Sequence, residues 1–134
     1  MTMGQVHIAF FKDFQMTDTL LMDGDREGLG LLVQTLHQLA AGPGDPVALH
    51  ELPFVNAHHG IRVFALCTSR DSASIRGGEI TWERSTAGWK DAAAMVAMLM
   101  QGRPGHQYLD AEHDDIMLMA STGEYGDNWW RKNG

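Results

Sequence analysis

Apolar and polar positions alternate along this chain in two periods, and the period changes mark out its elements. Val6-His7-Ile8-Ala9-Phe10-Phe11 is β-branched and aromatic, apolar on nearly both faces, and predicts a first strand. A loop carrying Asp18, Asp23 and Asp25 follows, and Asp23 or Asp25 is placed to cap a helix. Leu29, Leu32, Val33, Leu36, Leu39 and Ala40 recur at helical spacing, and Gly42-Pro43 ends that helix.

Val47 to Leu52 predicts a second strand, followed by a loop holding Pro53, Asn56, His58, His59 and Gly60. Ile61, Val63, Ala65 and Cys67 share one face of a third strand, with Phe64 and Leu66 on the other. A polar connection from Ser69 to Gly78 precedes Glu79 to Arg84, where Ile80 and Trp82 alternate with Glu79, Thr81 and Glu83 in the manner of a half-exposed strand. Ser85 or Thr86 caps a second helix with Trp89, Ala92, Ala93, Val96, Leu99 and Met100 on its buried stripe, stopped by Gly102 and Pro104. Asp115 to Ala120 contains a continuous apolar run and predicts a central strand, before a polar and aromatic tail.

The order βαβββαβ predicts an α+β fold: two layers, with a mostly antiparallel sheet of about five strands and two helices on one face. The 134 residues show no repeat and no linker, which predicts a single domain over residues 1–134. The chain is 44% hydrophobic and 20% charged, a globular balance. Cys67 is its one cysteine, so neither an internal disulfide nor a cysteine-based zinc site is available. Met1 to His7 lacks a basic start and an apolar core, and no run approaches the ~20 apolar residues of a membrane helix. The expected location is the cytoplasm, with no membrane contact.

Seventeen acidic side chains against ten basic ones give a formal charge of −7. An acidic surface is repelled by a nucleic-acid backbone and steers basic partners toward itself. Catalytic motifs are missing: Ser69, Ser72 and Ser74 have no nucleophile elbow, and Gly28 and Gly30 lack the third glycine of a dinucleotide loop. No catalytic residue, metal or cofactor is therefore assigned. The densest ligand-type cluster is His106 and His113 with Asp110, Glu112, Asp114 and Asp115, and it supports an alternative reading as a small metal-binding enzyme. A homodimeric regulatory subunit burying Trp129 and Trp130 is a further alternative. The methionines Met95, Met98, Met100, Met117 and Met119 are read mainly as core filler.

From Pro104 to Trp130 the chain has no lysine or arginine, and it combines six acidic residues with Tyr108, Tyr125, Trp129 and Trp130. Aromatics anchor protein interfaces and carboxylates steer and pair with basic groups. Asp110, Glu112, Asp114, Asp115, Glu124, Tyr125, Asp127 and Trp129 are accordingly the expected partner-binding residues. The words Gly105-His106-Gln107-Tyr108-Leu109-Asp110 and Ser121-Thr122-Gly123-Glu124-Tyr125-Gly126-Asp127-Asn128-Trp129-Trp130 flank the last strand. With the size, acidity and element order, the chain resembles the small immunity proteins of bacterial contact-dependent growth inhibition and polymorphic toxin systems. The resemblance implies a cytoplasmic toxin inhibitor that binds a cognate, basic toxin domain, often a nuclease, without catalysis.

Overall fold

The computed structural model of the chain describes residues 4–14 and 16–134. The first three residues, on which the leader expectation partly rests, lie outside them. The architecture is α+β, and among the described residues its strands fall into two sheets. The first contains β1 (Val6–Phe14), β2 (Thr17–Gly24), β4 (Val55–Ala57), β8 (Gly105–Tyr108) and β9 (Met117–Thr122), in the order β4-β1-β2-β9-β8. The second contains β3 (Val47–Ala48), β5 (Arg62–Cys67), β6 (Ser72–Arg76) and β7 (Glu79–Arg84), in the order β3-β5-β7-β6. Both sheets are mixed. The β1–β4, β2–β9 and β5–β7 pairs are parallel, and β1–β2, β3–β5, β6–β7 and β8–β9 are antiparallel.

Helices α1 (Arg26–Leu39) and α2 (Thr86–Met98) pack on each other, and α1 touches both sheets. Leu29, Leu32 and Leu36 of α1 and Trp89, Ala93 and Val96 of α2 meet Ile8, Leu20 and Leu118 of the first sheet and Val63, Ile80 and Trp82 of the second in one apolar core. The helix starts follow the sequence. The Asp25 carboxylate accepts the Gly28 amide at 2.7 Å, and Ser85 Oγ accepts the Gly88 amide at 3.1 Å.

Gly28 lets α1 begin directly against β1. A Cβ at this position would fall on the Gln5 backbone, which has no side-chain freedom to yield. Gly28→Ala should therefore lower stability by about 1–3 kcal/mol, the cost of overpacking, as read from the urea midpoint.

The α+β class stands, but the expected sheet of about five strands is two mixed sheets of five and four strands, the loop holding Asn56 contains β4, and four further expectations change. The aspartate loop is instead strand β2, because Asp23 finds hydrogen-bond partners inside the fold. Only Val47–Ala48 of the expected strand Val47–Leu52 is extended; Leu49–Glu51 is a 3-10 turn, which drives Leu49 into the core while His50 Nδ1 accepts the Val63 amide at 2.9 Å. The polar connection Ser69–Gly78 contains β6. It is joined to β7 through Gly77-Gly78, both at positive φ (58° and 77°), as a two-residue hairpin turn requires. The tail forms a third helix, α3 (Asp127–Asn133). The methionines divide: Met22 and Met119 are buried, while Met98 is 57% exposed.

Candidate functional site

Strand alternation sends Val6, Ile8, Leu20 and Met22 of the first sheet into the core and turns His7, Ala9, Leu21 and Asp23 to the opposite face. There the register lines up one polar row across all five strands, in the order Asn56, His7, Asp23, Ser121 and His106. Beside it runs an apolar row of Ala9, Leu21 and Met119.

Helix α3 covers both rows. Trp130, 4% exposed, donates its indole N–H to Asp23 Oδ2 at 2.9 Å, while Ser121 Oγ donates to Asp23 Oδ1 at 2.9 Å. The rings of His7 and His58 stack against the same indole at 4.8 and 4.7 Å. These two imidazoles share a hydrogen bond, Nδ1 to Nε2, at 2.9 Å. Burial pushes the Asp23 carboxyl above the usual carboxylate range, against the Trp130 and Ser121 bonds and the nearby His7, which favour its charge. Burial, with His7 and His59 nearby, holds His58 below the usual imidazole value.

Beside His7 and Asp23, in the middle of this row, a cavity of about 450 Å3 opens between the start of α1, the turn before β8 and the β9–α3 turn. Asp23, Tyr125, Asp127 and Trp130 line it, together with Arg26 and Arg103. Burial and the Glu124 charge raise the Tyr125 phenol.

A second cleft, about 500 Å3, lies between α2 and the β8–β9 loop. Its walls carry Asp71, Asp91, Asp110 and Glu112, with Ala92, Met95, Tyr108 and Leu109 as apolar surface. The Asp71 carboxylate accepts the Ser85 amide. Asp91, Asp110 and Glu112 are exposed, and none has a side-chain hydrogen bond or ion pair among the described residues. The lining cation, Arg84, is already neutralised. Its guanidinium donates to both Asp114 oxygens, at 3.1 and 2.6 Å, and the two side chains are 3% and 2% exposed.

The structure divides the eight expected partner-binding residues. Asp110 and Glu112 stand on the second cleft, and Asp115 lines a separate recess with Ser74, Arg76 and Glu79. Asp114 belongs to the buried ion pair and is not a surface group. Beyond the six-residue strand β9, roughly 17 Å away at ~3.3 Å per residue, lie Glu124, Tyr125, Asp127 and Trp129. Glu124 accepts from His106 Nδ1 at 2.8 Å. Trp129 packs edge-on against Phe11 and Phe14 and beside Tyr125.

The strand β8 and its following loop place His106 and His113 apart, and among the described residues no group of three His, Cys, Asp or Glu is arranged to hold a metal. Trp130 is occupied within its own chain, so a dimer contact through both tryptophans does not fit. No helix among the described residues is long and apolar enough to cross a membrane.

Sequence reasoning missed Asp91, which shares the second cleft from another element, and the Asp23–Trp130–Ser121 network. The available signal for the latter was Asp23 directly after the apolar Leu20-Leu21-Met22. Comparison with known protein families, with curated proteins and with solved structures gives no match.

Proposed function

We propose that the protein is an inhibitory binding protein of the immunity type, which neutralises a basic partner, a cognate toxin domain, in the cytoplasm. The observation that carries this reading is the cleft between α2 and the β8–β9 loop. Three exposed carboxylates, Asp91, Asp110 and Glu112, stand over Met95 and Tyr108, with no free lysine or arginine among the described residues of the lining. Unpaired carboxylates raise the encounter rate with a basic surface, and a half-exposed tyrosine supplies an anchor that loses little entropy on binding. A nuclease is a fitting target because its substrate site must be basic to hold phosphates.

The partner to test is the product of the neighbouring reading frame, co-expressed and then measured by stopped-flow association. Asp91→Lys, Asp110→Lys and Glu112→Lys together should slow association by about tenfold or more and flatten its dependence on salt. All three positions are exposed, so the urea midpoint should hardly move. An unchanged association rate and salt slope would remove this cleft from the binding surface.

A further inference from the structure

We propose that the cavity beside Trp130 is a second, separate site that binds a small zwitterion, an amino acid or a close analogue. In it Asp23 and Asp127 hold the cationic end, an ammonium or guanidinium, and Arg26 and Arg103 hold the carboxylate.

The argument starts from Asp23. It is 6% exposed, lines a cavity of about 450 Å3, and among the described residues receives hydrogen bonds only from neutral donors, the Trp130 indole and the Ser121 hydroxyl. His7 is its cross-strand neighbour, but His7 Nδ1 is engaged with His58 and does not bond Asp23. Removing a carboxylate from water costs several kcal/mol by order of magnitude unless its charge is met, and no cation of the chain bonds it among the described residues. Burial is the largest cause of the raised carboxyl, and the Trp130 and Ser121 bonds offset it only in part.

The remaining charges of the lining define the ligand's other end. Asp25 is consumed as the cap of α1. Asp127, Arg26 and Arg103 are exposed and make no side-chain hydrogen bond or ion pair among the described residues. Two carboxylates, Asp23 and Asp127, and two guanidiniums, Arg26 and Arg103, therefore line one cavity. A purely cationic ligand meets Arg26 and Arg103, and a purely anionic one meets Asp23. A molecule carrying both charges satisfies all four. The same two arginines disfavour the basic surface of a protein partner, which separates this site from the acidic cleft on α2. Tyr125 and Trp130 give the cationic end an aromatic wall.

The test is titration with L-arginine and L-lysine, with agmatine and cadaverine as the same cations lacking a carboxylate. The readout is the indole N–H resonance of Trp130, which reports the bond to Asp23. At least one of the two amino acids should shift it saturably at millimolar concentration, and the corresponding decarboxylated amine should bind about tenfold more weakly or worse. Asp127→Asn, at an exposed position, and Arg103→Ala should each weaken binding without changing the rest of the spectrum. Asp23→Asn keeps an acceptor for the indole and should abolish binding. No saturable shift with either amino acid overturns the proposal. So does equal affinity for the amines, or binding indifferent to Asp127 and Arg103. These outcomes are independent of the toxin-binding reading, because none of the residues altered lines the α2 cleft.

Discussion

Asp114→Leu alone should destabilise the protein by about 3–5 kcal/mol, because it leaves the Arg84 guanidinium buried without its counter-charge. The geometry makes the loss severe. Arg84 spends one nitrogen on Asp114 Oδ1 and the Glu83 carbonyl, and the other on Asp114 Oδ2 and the Leu109 carbonyl. Asp114 Oδ2 also accepts the Ala111 amide at 2.7 Å. The pair thus ties the end of β7 to the loop between β8 and β9, joining the second sheet to the first. Arg84→Met together with Asp114→Leu should recover much of the loss, since the uncompensated charge goes with its partner. Recovery should be incomplete, because the Ala111 amide and the Glu83 and Leu109 carbonyls each lose a hydrogen bond. Urea denaturation of the two single variants and the double variant closes the cycle. Additive effects would mean that the ion pair is not the coupling element. The binding consequence runs through the same loop, which carries Asp110 and Glu112: the Asp114 variant should lose partner affinity even at temperatures where it stays folded.

That ion pair also shows where reading the sequence stops. Asp114 stands among Asp110, Glu112 and Asp115, and composition gives all four the same solvated role. Only the fold brings Arg84 to one of them across thirty residues of chain. Helices α1 and α2 were legible because their apolar stripes, and the Asp25 and Ser85 caps, are local signals. Strands β5 and β7 were legible by their alternation. The α+β class followed from these elements. Strand β2 was hidden because aspartate is a turn signal unless tertiary partners satisfy it, and the Asp23 partners lie 98 and 107 residues away. Short β8 and β6 carry too few apolar positions for a period to emerge. The acidic, aromatic final third was visible as a composition. That β9 would divide it into two ends was not, because strand pairing decides which residues share a surface.

Helix α3 offers the second large effect. Trp130→Ala should cost about 3–5 kcal/mol, the usual loss for removing a buried tryptophan, and should release α3 from the sheet. Trp130→Phe should keep the stacking on His7 and His58 and lose only the indole bond to Asp23, a cost of about 1–3 kcal/mol. The two variants should also differ in their response to pH. In the native fold the Asp23 carboxyl is raised, so the folded state binds its proton more tightly than the unfolded chain. The resulting penalty is present above the folded pKa and disappears as pH falls toward the unfolded value of 3.8. Phenylalanine removes a donor that favoured the charged form, which raises the carboxyl further. The deficit of Trp130→Phe against wild type should therefore be greatest at neutral pH and shrink in acid. His58 works in the opposite sense. Its depressed value contributes stability above 6.5 that is lost as pH falls through the folded pKa. Alanine opens the indole site, hydrating Asp23 and His58 together, so both contributions should fade and the stability of Trp130→Ala should vary less with pH than that of wild type. Urea midpoints measured from pH 4 to 8 decide the matter, since that window spans the ordinary carboxylate and imidazole ranges. Parallel curves for all three proteins would mean that Trp130 contributes packing alone and does not set the charge of the row beneath it.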